Sequence, residues 1–412
     1  MLISTIRLYK KAYSGLSTES WYLTLVMFIN RSGTMVLPFM TIYCTQQLQF
    51  TIVQAGFIMA FFGAGSIAGA FFGGKITDKI GFHYLQAGAL LSGGLMFITI
   101  SFLDTFLSLS IGTFILSMCN ESFRPANSTA VAHYSTEENR TRSYSLNRLA
   151  INLGWSFGGA LGGFLASVNY HYLFYVDGFT NIFAGLLLLK LLPQVKSQKA
   201  KQTLFEKPIS RSAYSDKLYL VFILLTILFA SCFFQLFTMQ PIFFKTEWHF
   251  DEQFIGLLMA LNGMLIVAME MVLINRLEGT KPSMYYISLG VFLVGIGFVL
   301  FNIFPAAAWA AILSVCFITL GEMLSMPFMN TFWISRTVES NRGEYAGLYT
   351  IAWSAAQILA PVYGAILIQS GGYDLLWWFL GGLCTLSAAG YFSIYKLDTL
   401  KLWKHKYITS SG

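Results

Sequence analysis

The chain has 412 residues, of which 56% are hydrophobic and 11% are charged. Soluble domains carry about 25% charged residues, so this composition excludes soluble, disordered and collagen-like classes. Four long stretches contain no charged side chain: residues 32–74, 218–244, 282–321 and 375–395. Because about 20 apolar residues cross a bilayer, the sequence predicts a polytopic helical membrane protein.

Apolar runs between charged or Pro/Gly-rich breaks predict twelve membrane-spanning helices. In chain order, spans 1 to 12 cover residues 21–43, 52–73, 84–103, 106–132, 143–167, 172–192, 218–244, 254–274, 284–304, 305–333, 345–369 and 375–395. An even number of crossings places both termini on the same side of the membrane.

A polar stretch rich in Lys and Ser, residues 193–217, lies near the middle of the chain and is predicted to be a cytoplasmic linker. It separates two predicted six-helix bundles, residues 21–192 and 218–395, which are flanked by an N-terminal segment, residues 1–20, and a basic tail, residues 396–412. A repeat supports this division: Pro125 precedes Arg140 by 15 residues, as Pro327 precedes Arg342, at an offset of 202. Internal repeats are typical of secondary transporters.

The distribution of Lys and Arg predicts the orientation. Twenty-one of the 26 basic residues lie in the termini and alternate loops of one face, whereas the opposite loops contain Lys245 alone. Cytoplasmic loops carry such an excess, so both termini are expected in the cytoplasm, with the chain in the plasma membrane or, in a Gram-negative cell, the inner membrane. The same bias explains the net charge of +7, which therefore does not indicate a nucleic-acid partner.

Twelve spans in two sets of six, a basic central loop and cytoplasmic ends resemble the major facilitator superfamily. The loop after span 2 resembles the family's G-x-x-x-D-R/K-x-G gating motif at Gly74, Asp78, Lys79 and Gly81. Phe82 and His83 stand where a basic pair usually follows. A carboxylate in this tight loop is expected to accept hydrogen bonds from a helix N-terminus or an arginine and to latch helices together.

Span 5 is similar to the G-x-x-x-G-P-x-x-G-G signature of the proton-coupled drug antiporters, at Gly154, Gly158, Gly159, Gly162 and Gly163. Gly159 stands where Pro is usual, and the glycines by themselves predict close helix packing. The resemblance implies an all-α fold of two pseudo-symmetric six-helix bundles. It also implies a monomer that uses alternating access, a small-molecule substrate and protons, and no cofactor.

Ionisable residues within the spans are functional candidates because they are costly in a bilayer. They are Arg31, Glu121, Arg124, Arg148, Glu270 and Glu322. Glu322 has no basic residue within four positions along its helix and is the preferred proton carrier; Glu121, which shares a helix face with Arg124, and Glu270 follow. Asp177 lies nearer the outer end of span 6, which favours an interfacial position.

In the resembled fold, spans 1, 4, 7 and 10 line a central cavity, which implies that Arg31, Glu121, Arg124 and Glu322 surround one space. Two arrangements stay open: a fully paired structural network, or a carboxylate that takes up and releases a proton. Further candidates for substrate binding are Asn30, Asn120, Asn127, Asn147, Arg148, Gln235, Asn330 and Trp333. The His and Cys residues lack metal-ligand spacing, so no metal site is expected.

These patterns favour a secondary active transporter that exports lipophilic or cationic compounds in exchange for protons, as multidrug transporters do. The alternative is proton-coupled uptake of an anionic or zwitterionic solute such as a peptide, sugar or siderophore, or transport of a lipid, with Arg31 and Arg124 binding acidic groups. A membrane-embedded enzyme would need a nucleophile with its base, or paired metal ligands, and the sequence shows neither. It shows no G-x-x-x-x-G-K-S/T motif for ATP-driven transport either.

Overall fold

The structure is a computed structural model that describes residues 15–136, 139–193, 212–277, 279–337 and 342–410. Within those ranges every regular element is helical. In chain order the α-helices are α1 (Thr18–Ser32), α2 (Val36–Ile42), α3 (Ile52–Ile80), α4 (Phe82–Ile100), α5 (Phe106–His133), α6 (Arg140–Val168), α7 (His171–Leu191), α8 (Lys217–Phe233), α9 (Gln235–Thr238), α10 (Gln240–Thr246), α11 (Glu252–Leu277), α12 (Ser283–Ile303), α13 (Ala308–Ser335) and α14 (Arg342–Ser410). A π-helical turn, Tyr43–Gln47, continues α2, and a 3-10 turn, Ala213–Ser215, precedes α8.

Eleven stretches of the described chain are long and apolar enough to cross a membrane. The last, Tyr345–Leu397, has 53 residues, which at about 1.5 Å per residue is more than twice the roughly 30 Å of a hydrocarbon core. Gly372 interrupts it with a positive φ of 74°, which an L side chain rarely adopts. Spans 11 and 12 therefore meet at Gly372, and the predicted all-helical class with twelve crossings is confirmed.

The chain forms two compact units. The first contains Met1–Gln202 and His249–Val267, and the second contains Thr203–Trp248 and Ala268–Gly412. These units differ from the predicted bundles chiefly in the stretch His249–Val267, the beginning of span 8, which belongs with the first unit.

Close helix contacts build each unit. In the first, α3 lies along α5, α4 packs on α5 and α7, and α1 packs against α6 and α7; in the second, α12 packs on α13 and α14, and α8 on α14. The contact between α3 and α5 depends on a stripe of small residues, because a Cβ at Gly73 would lie 2.7 Å from Ser122 Cα. Gly65 and Gly69, at four-residue intervals, meet the α5 backbone in the same way.

Spans 1 and 7 are broken, although the sequence predicts each as one continuous helix. In span 1, α1 ends at Ser32 and α2 begins at Val36. In span 7, α8 ends at Phe233 and two short helices follow. The physical reason is the same in both: Pro38 and Pro241 lie three and two residues inside the segment after the break, where a proline has no N–H to donate and its ring clashes with the carbonyl four residues earlier.

The gating motif after span 2 does not form a loop, so that prediction is wrong. Helix α3 continues through Gly74 to Ile80, because the sequence contains no helix breaker before Gly81. Gly81 turns the chain with φ 89°, and α4 starts at the next residue, Phe82. The side chains of Asp78 and Lys79 lie outside the described residues, and the latch predicted for Asp78 stays a prediction.

Candidate functional site

Three charged side chains come together inside the first unit. On α5, Glu121 and Arg124 lie one turn apart, with Arg124 Nη2 3.1 Å from Glu121 Oε2. The side chain of Glu121 is 12% exposed and that of Arg124 is 65% exposed. The carboxylate is therefore held inside the unit, while the guanidinium that pairs with it reaches the surface.

Arg31 is the third member of this cluster and lies in the last turn of α1. It is half-buried and within electrostatic range of Glu121 and Arg124. Its Nε is buried and finds no hydrogen-bond partner among the described residues. Helix α6 fixes its backbone, since a Cβ at Gly154 would lie 2.6 Å from Arg31 Cβ. The cluster thus combines two cations with one carboxylate, at the end of a broken helix.

This arrangement has a chemical consequence. Arg124 and Glu121 form an ion pair with an N–O distance of 3.1 Å. Arg31 adds a second positive charge that is not matched by a second carboxylate in the cluster. Such a site favours an anionic guest, or a cation that displaces one of the arginines from Glu121. Mid-span charges that are paired in this way are typical of ion and substrate pathways.

The predicted amide residues of the first unit mainly join helices. Asn30 Nδ2 donates to Asn181 Oδ1 of α7 at 2.8 Å. Asn127 Oδ1 accepts from Gln86 Nε2 of α4 at 3.4 Å, and Asn120 packs against Gly93 of the same helix. Asn30 and Asn127 are buried, so these contacts place them in the packing between helices.

Asn147 and Arg148 lie side by side on α6 but in opposite surroundings. Asn147 is 7% exposed, and its Oδ1 is buried without a hydrogen-bond partner in the described part of the chain. Arg148 is exposed. Their predicted role in substrate binding stays a prediction.

In the second unit, the two predicted carboxylates differ in burial. Glu322 of α13 is half-buried, and Glu270 of α11 is buried. Gln235 is fully buried at the break in span 7, where its Nε2 donates to Ala360 O at 2.7 Å and its Oε1 accepts from Thr238 Oγ1 at 3.1 Å. Gln235 therefore supports the fold of this unit rather than an open surface.

Asn330 and Trp333 begin an aromatic surface in the second unit. Trp333 Nε1 donates to Asn330 Oδ1 at 3.2 Å. The Trp333 ring centroid is 6.1 Å from that of Tyr349, which is followed by Trp353 at 6.3 Å and then Phe234 at 6.0 Å. All four rings are half-buried. The sequence analysis missed Tyr349 and Trp353, whose spacing of four residues on span 11 was the available signal.

The glycines of α6 allow close packing on two sides, against span 1 and against α11. Gly154, Gly158 and Gly162 face α1 and α2; a Cβ at Gly158 would lie 3.0 Å from Ser32 O. Gly159 and Gly163 face the first turns of α11, where a Cβ at Gly163 would lie 2.8 Å from Gly256 Cα. Both faces need glycine because any larger residue would separate the helices.

A polar cluster at the start of α8 in the second unit was not predicted at all. Asp216 caps α8 by accepting from Tyr219 N–H at 3.2 Å, and it binds Arg336 through three contacts of 2.7 to 3.0 Å. The Tyr345 hydroxyl donates to the same carboxylate at 3.0 Å. Burial alone would raise the pKa of Asp216, but these hydrogen bonds outweigh burial and hold its pKa below the usual value.

Comparison with known proteins establishes the family. The family model described as Major Facilitator Superfamily matches residues 22–361, which is most of the chain. The chain belongs to the Major Facilitator Superfamily. It is a membrane transporter, and the resemblance drawn from its motifs is confirmed.

Among relatives in this superfamily, the "Na(+), Li(+), K(+)/H(+) antiporter" of Planococcus maritimus is 25% identical over 406 residues, covering 90% of this chain and 94% of that protein. The "Quinolone resistance protein NorA" of Staphylococcus aureus is 18% identical over 337 residues, covering 81% of this chain and 86% of that protein. A solved POT family transporter in complex with 5-aminolevulinic acid matches with a TM-score of 0.78 at 16% identity, covering 93% of this chain and 97% of that one. The nucleoside transporter NupG matches with a TM-score of 0.71, also at 16% identity, covering 92% of this chain and all of that one. At these identities the solved structures show the fold alone.

Proposed function

We propose that this transporter exports lipophilic or cationic compounds in exchange for protons. The observation that carries the proposal is the buried Glu121 carboxylate, paired with Arg124 and close to Arg31 in the first unit. The similarity to a cation/proton antiporter and to a quinolone resistance protein supports the same class of transport.

We assign separate roles in cation binding and proton transfer to the three membrane carboxylates. Glu121 pairs with Arg124, and we assign it the binding of a cationic substrate. Glu322 is half-buried on α13, and we assign it the proton that enters in one facing state and leaves in the other. Glu270, buried on α11, is the second candidate for this proton.

The aromatic surface of Trp333, Tyr349, Trp353 and Phe234 supports a lipophilic substrate. Half-buried aromatic rings offer a large contact area without requiring one hydrogen-bond geometry, and their faces attract organic cations. A compound that is both apolar and positively charged therefore suits these rings better than a sugar does.

A second candidate function is uptake of an anionic or zwitterionic solute, or transport of a lipid. One observation favours it: Arg124 is 65% exposed, so its guanidinium is accessible to an acidic group of a substrate. Arginine binds carboxylates and phosphates with paired hydrogen bonds. In this alternative, Arg31 and Arg124 form the substrate site, and their positive charge binds the acidic group of the substrate.

We further propose that both termini and residues 193–217 face the cytoplasm of the plasma membrane, because the basic residues concentrate in these segments and the loops on the same side. Protease cleavage of residues 193–217 in inside-out vesicles, but not in right-side-out vesicles, gives the orientation needed for the transport experiment below.

The transport experiment uses full-length protein in proteoliposomes with an internal pH-sensitive dye. Tetraphenylphosphonium, Na⁺, K⁺ and an acidic dipeptide are added separately, and proton movement is recorded. We expect a cation, and not the dipeptide, to drive proton countertransport. Glu322→Gln should reduce this coupled flux at least tenfold, and Glu121→Gln should weaken the apparent affinity for the cation.

Asp104→Asn is the matched control, since it also converts a carboxylate to an amide but lies in an exposed turn outside the spans. Its coupled flux should equal that of the unmodified protein. Proton movement driven by the dipeptide would replace the proposed function with the second candidate. Unchanged coupling in both glutamine variants would contradict the assignment of the two carboxylates.

A further inference from the structure

Asp177 of α7 is a fully buried carboxylate that the proposed transport function does not use. The sequence favours an interfacial position for it, but the structure places it inside the first unit with 0% of its surface exposed. Helix α7 packs closely on α4 here, since a Cβ at Gly178 would lie 2.9 Å from Gly94 O. Asp177 is thus shielded from the outer surface by its helix neighbours.

The carboxylate binds the backbone at the break in span 1. Asp177 Oδ2 accepts from Met35 N–H at 3.0 Å and from Val36 N–H at 2.9 Å, and Oδ1 accepts from Met35 N–H at 3.1 Å. These N–H groups open α2 and have no carbonyl one turn earlier to bind, because the helix is interrupted at residues 33–35. Asp177 of α7 therefore supplies the hydrogen-bond acceptors that the broken span 1 lacks.

No cation neutralises this carboxylate within the described residues, where its hydrogen-bond partners are the two backbone N–H groups. Along α7 the nearest titratable group is Tyr175, two residues before Asp177; the other titratable and charged groups on the helices around Asp177 lie farther along those helices or across the break. Together they are Glu19, Tyr22 and Arg31 on α1, Tyr43 and Cys44 after α2, His83 and Tyr84 on α4, Arg140, Arg142, Tyr144 and Arg148 on α6, and His171, Tyr172, Tyr175 and Lys190 on α7. Arg31 precedes the break by two residues.

The same face of α7 also holds the helix before the break. Asn181, one turn beyond Asp177, donates to Asp177 O at 2.8 Å and accepts from Asn30 Nδ2 at 2.8 Å. Asn30 immediately precedes Arg31. One turn of α7 therefore fixes both ends of the interruption, with an amide on the α1 side and a carboxylate on the α2 side.

We propose that Asp177 is a positioning residue whose protonation state controls the break in span 1 and, through it, the placement of Arg31 beside Glu121. An ionised carboxylate accepts hydrogen bonds with both oxygens. In a protonated carboxyl, one oxygen carries an O–H, which is itself a donor and therefore cannot bind the backbone N–H groups as well. A proton taken up by Asp177 thus removes part of the cap on Met35 and Val36 and frees α1 to move relative to α2. This inference rests on the proposed proton-coupled transport for its role in the cycle, but not for the hinge itself.

The hinge is tested by hydrogen exchange of the purified full-length protein, which needs no substrate. After correction for the intrinsic pH dependence of exchange, protection of the amides of Met35 and Val36 should fall at least fivefold between pH 8 and pH 5. In Asp177→Asn, protection should be low and independent of pH, while Asp177→Glu should restore the pH dependence. Asp104→Asn, with the same chemical change at an exposed site, should behave like the unmodified protein.

The role in transport is tested in the proteoliposomes described above. Asp177→Asn should flatten the pH profile of coupled flux, and Asp177→Glu should restore it. pH-independent protection of Met35 and Val36 in the unmodified protein would overturn the inference, even if the asparagine variant does not fold. A pH-dependent hinge together with an unchanged flux profile in Asp177→Asn would overturn its role in the cycle. Absence of coupled flux in the unmodified protein would instead contradict the proposed function. The hydrogen-exchange result would still show whether the break in span 1 depends on the protonation of Asp177.

Discussion

The two broken spans occupy equivalent places in the two halves of the chain, yet they are stabilised by different chemistry. At the break in span 1, the Asp177 side chain of α7 accepts from the backbone N–H groups of Met35 and Val36. At the break in span 7, Gln235 belongs to the broken span itself and donates to Ala360 O of α14. The first break depends on an ionisable group from a neighbouring helix, and the second on a neutral amide.

This difference shows that a sequence repeat preserves a backbone feature without preserving its chemistry. Pro38 and Pro241 differ by 203 positions, close to the offset of 202 between Pro125 and Pro327. At the same offset from Asp177 stands Phe379, which cannot ionise. The first half thus has an ionisable side chain at a position where the second half has an apolar one.

The largest effect is expected from removing the two side chains that hold the breaks. Asp177→Leu leaves the N–H groups of Met35 and Val36 buried without an acceptor, which should lower the free energy of unfolding by about 4 kcal/mol. Gln235→Leu removes hydrogen bonds between neutral groups and should cost about 1 kcal/mol. Chemical unfolding in detergent measures both, and equal losses would contradict the distinction between the two breaks.

A smaller effect is expected from adding a methyl group beside each break. In Gly33→Ala the new Cβ would lie 2.9 Å from the Cβ of Thr180, a stiff β-branched residue, so we expect a loss of about 2 kcal/mol. In Gly364→Ala it would lie 2.7 Å from Oε1 of Gln235, a longer side chain, so the loss should be about 1 kcal/mol. Thr180→Ala should partly rescue Gly33→Ala in thermal unfolding; failure of this rescue would show that Thr180 does not limit the space.

The smallest effect concerns the first residues of the same two spans. Ser17 caps α1 with a neutral hydroxyl, whereas Asp216 caps α8 and binds Arg336. Because the pKa of Asp216 is lowered in the folded state, its contribution is complete above the unfolded pKa of about 4 and is lost as the pH falls through the folded value. Asp216→Asn should cost about 1 kcal/mol at pH 7.

Acid unfolding of the two caps checks this last comparison. Stability of the unmodified protein should decline below pH 4 by a component that Asp216→Asn lacks, whereas Ser17→Ala should lower stability by a similar amount at every pH. An acid profile that is the same in the unmodified protein and in Asp216→Asn would mean that Arg336 does not stabilise the ionised carboxylate.

Much of the fold was predictable because a bilayer imposes strong constraints on a sequence. Apolar length and the clustering of Lys and Arg gave twelve spans, since each crossing must satisfy its backbone hydrogen bonds internally. The breaks were not predicted, because a proline signals a disturbed helix but not whether the helix bends or separates. The gating motif was predicted as a loop because its charged residues end the apolar run of span 2, whereas the helix runs to Ile80.

The candidate site was predicted in part. Glu121 and Arg124 pair as their three-residue spacing indicates, because a helix places such residues on one face. The prediction that amide side chains line a binding surface was less accurate. Each of Asn30, Asn127 and Gln235 is buried and hydrogen-bonded to a neighbouring helix. Asp216 and Arg336 are separated by 120 positions and by four spans, so no local pattern could join them.

The sequence by itself determined that this protein is a helical membrane transporter of two related halves, because hydrophobic length, charge bias and repeats are properties of the chain in order. Tertiary structure decided which polar groups meet. Asp177 accepts a hydrogen bond from the backbone of Met35, 142 residues earlier in the chain, and Asn30 donates one to Asn181. The physical reason is that a buried polar group must be satisfied by whatever helix packs beside it, and helix packing depends on contacts remote in sequence.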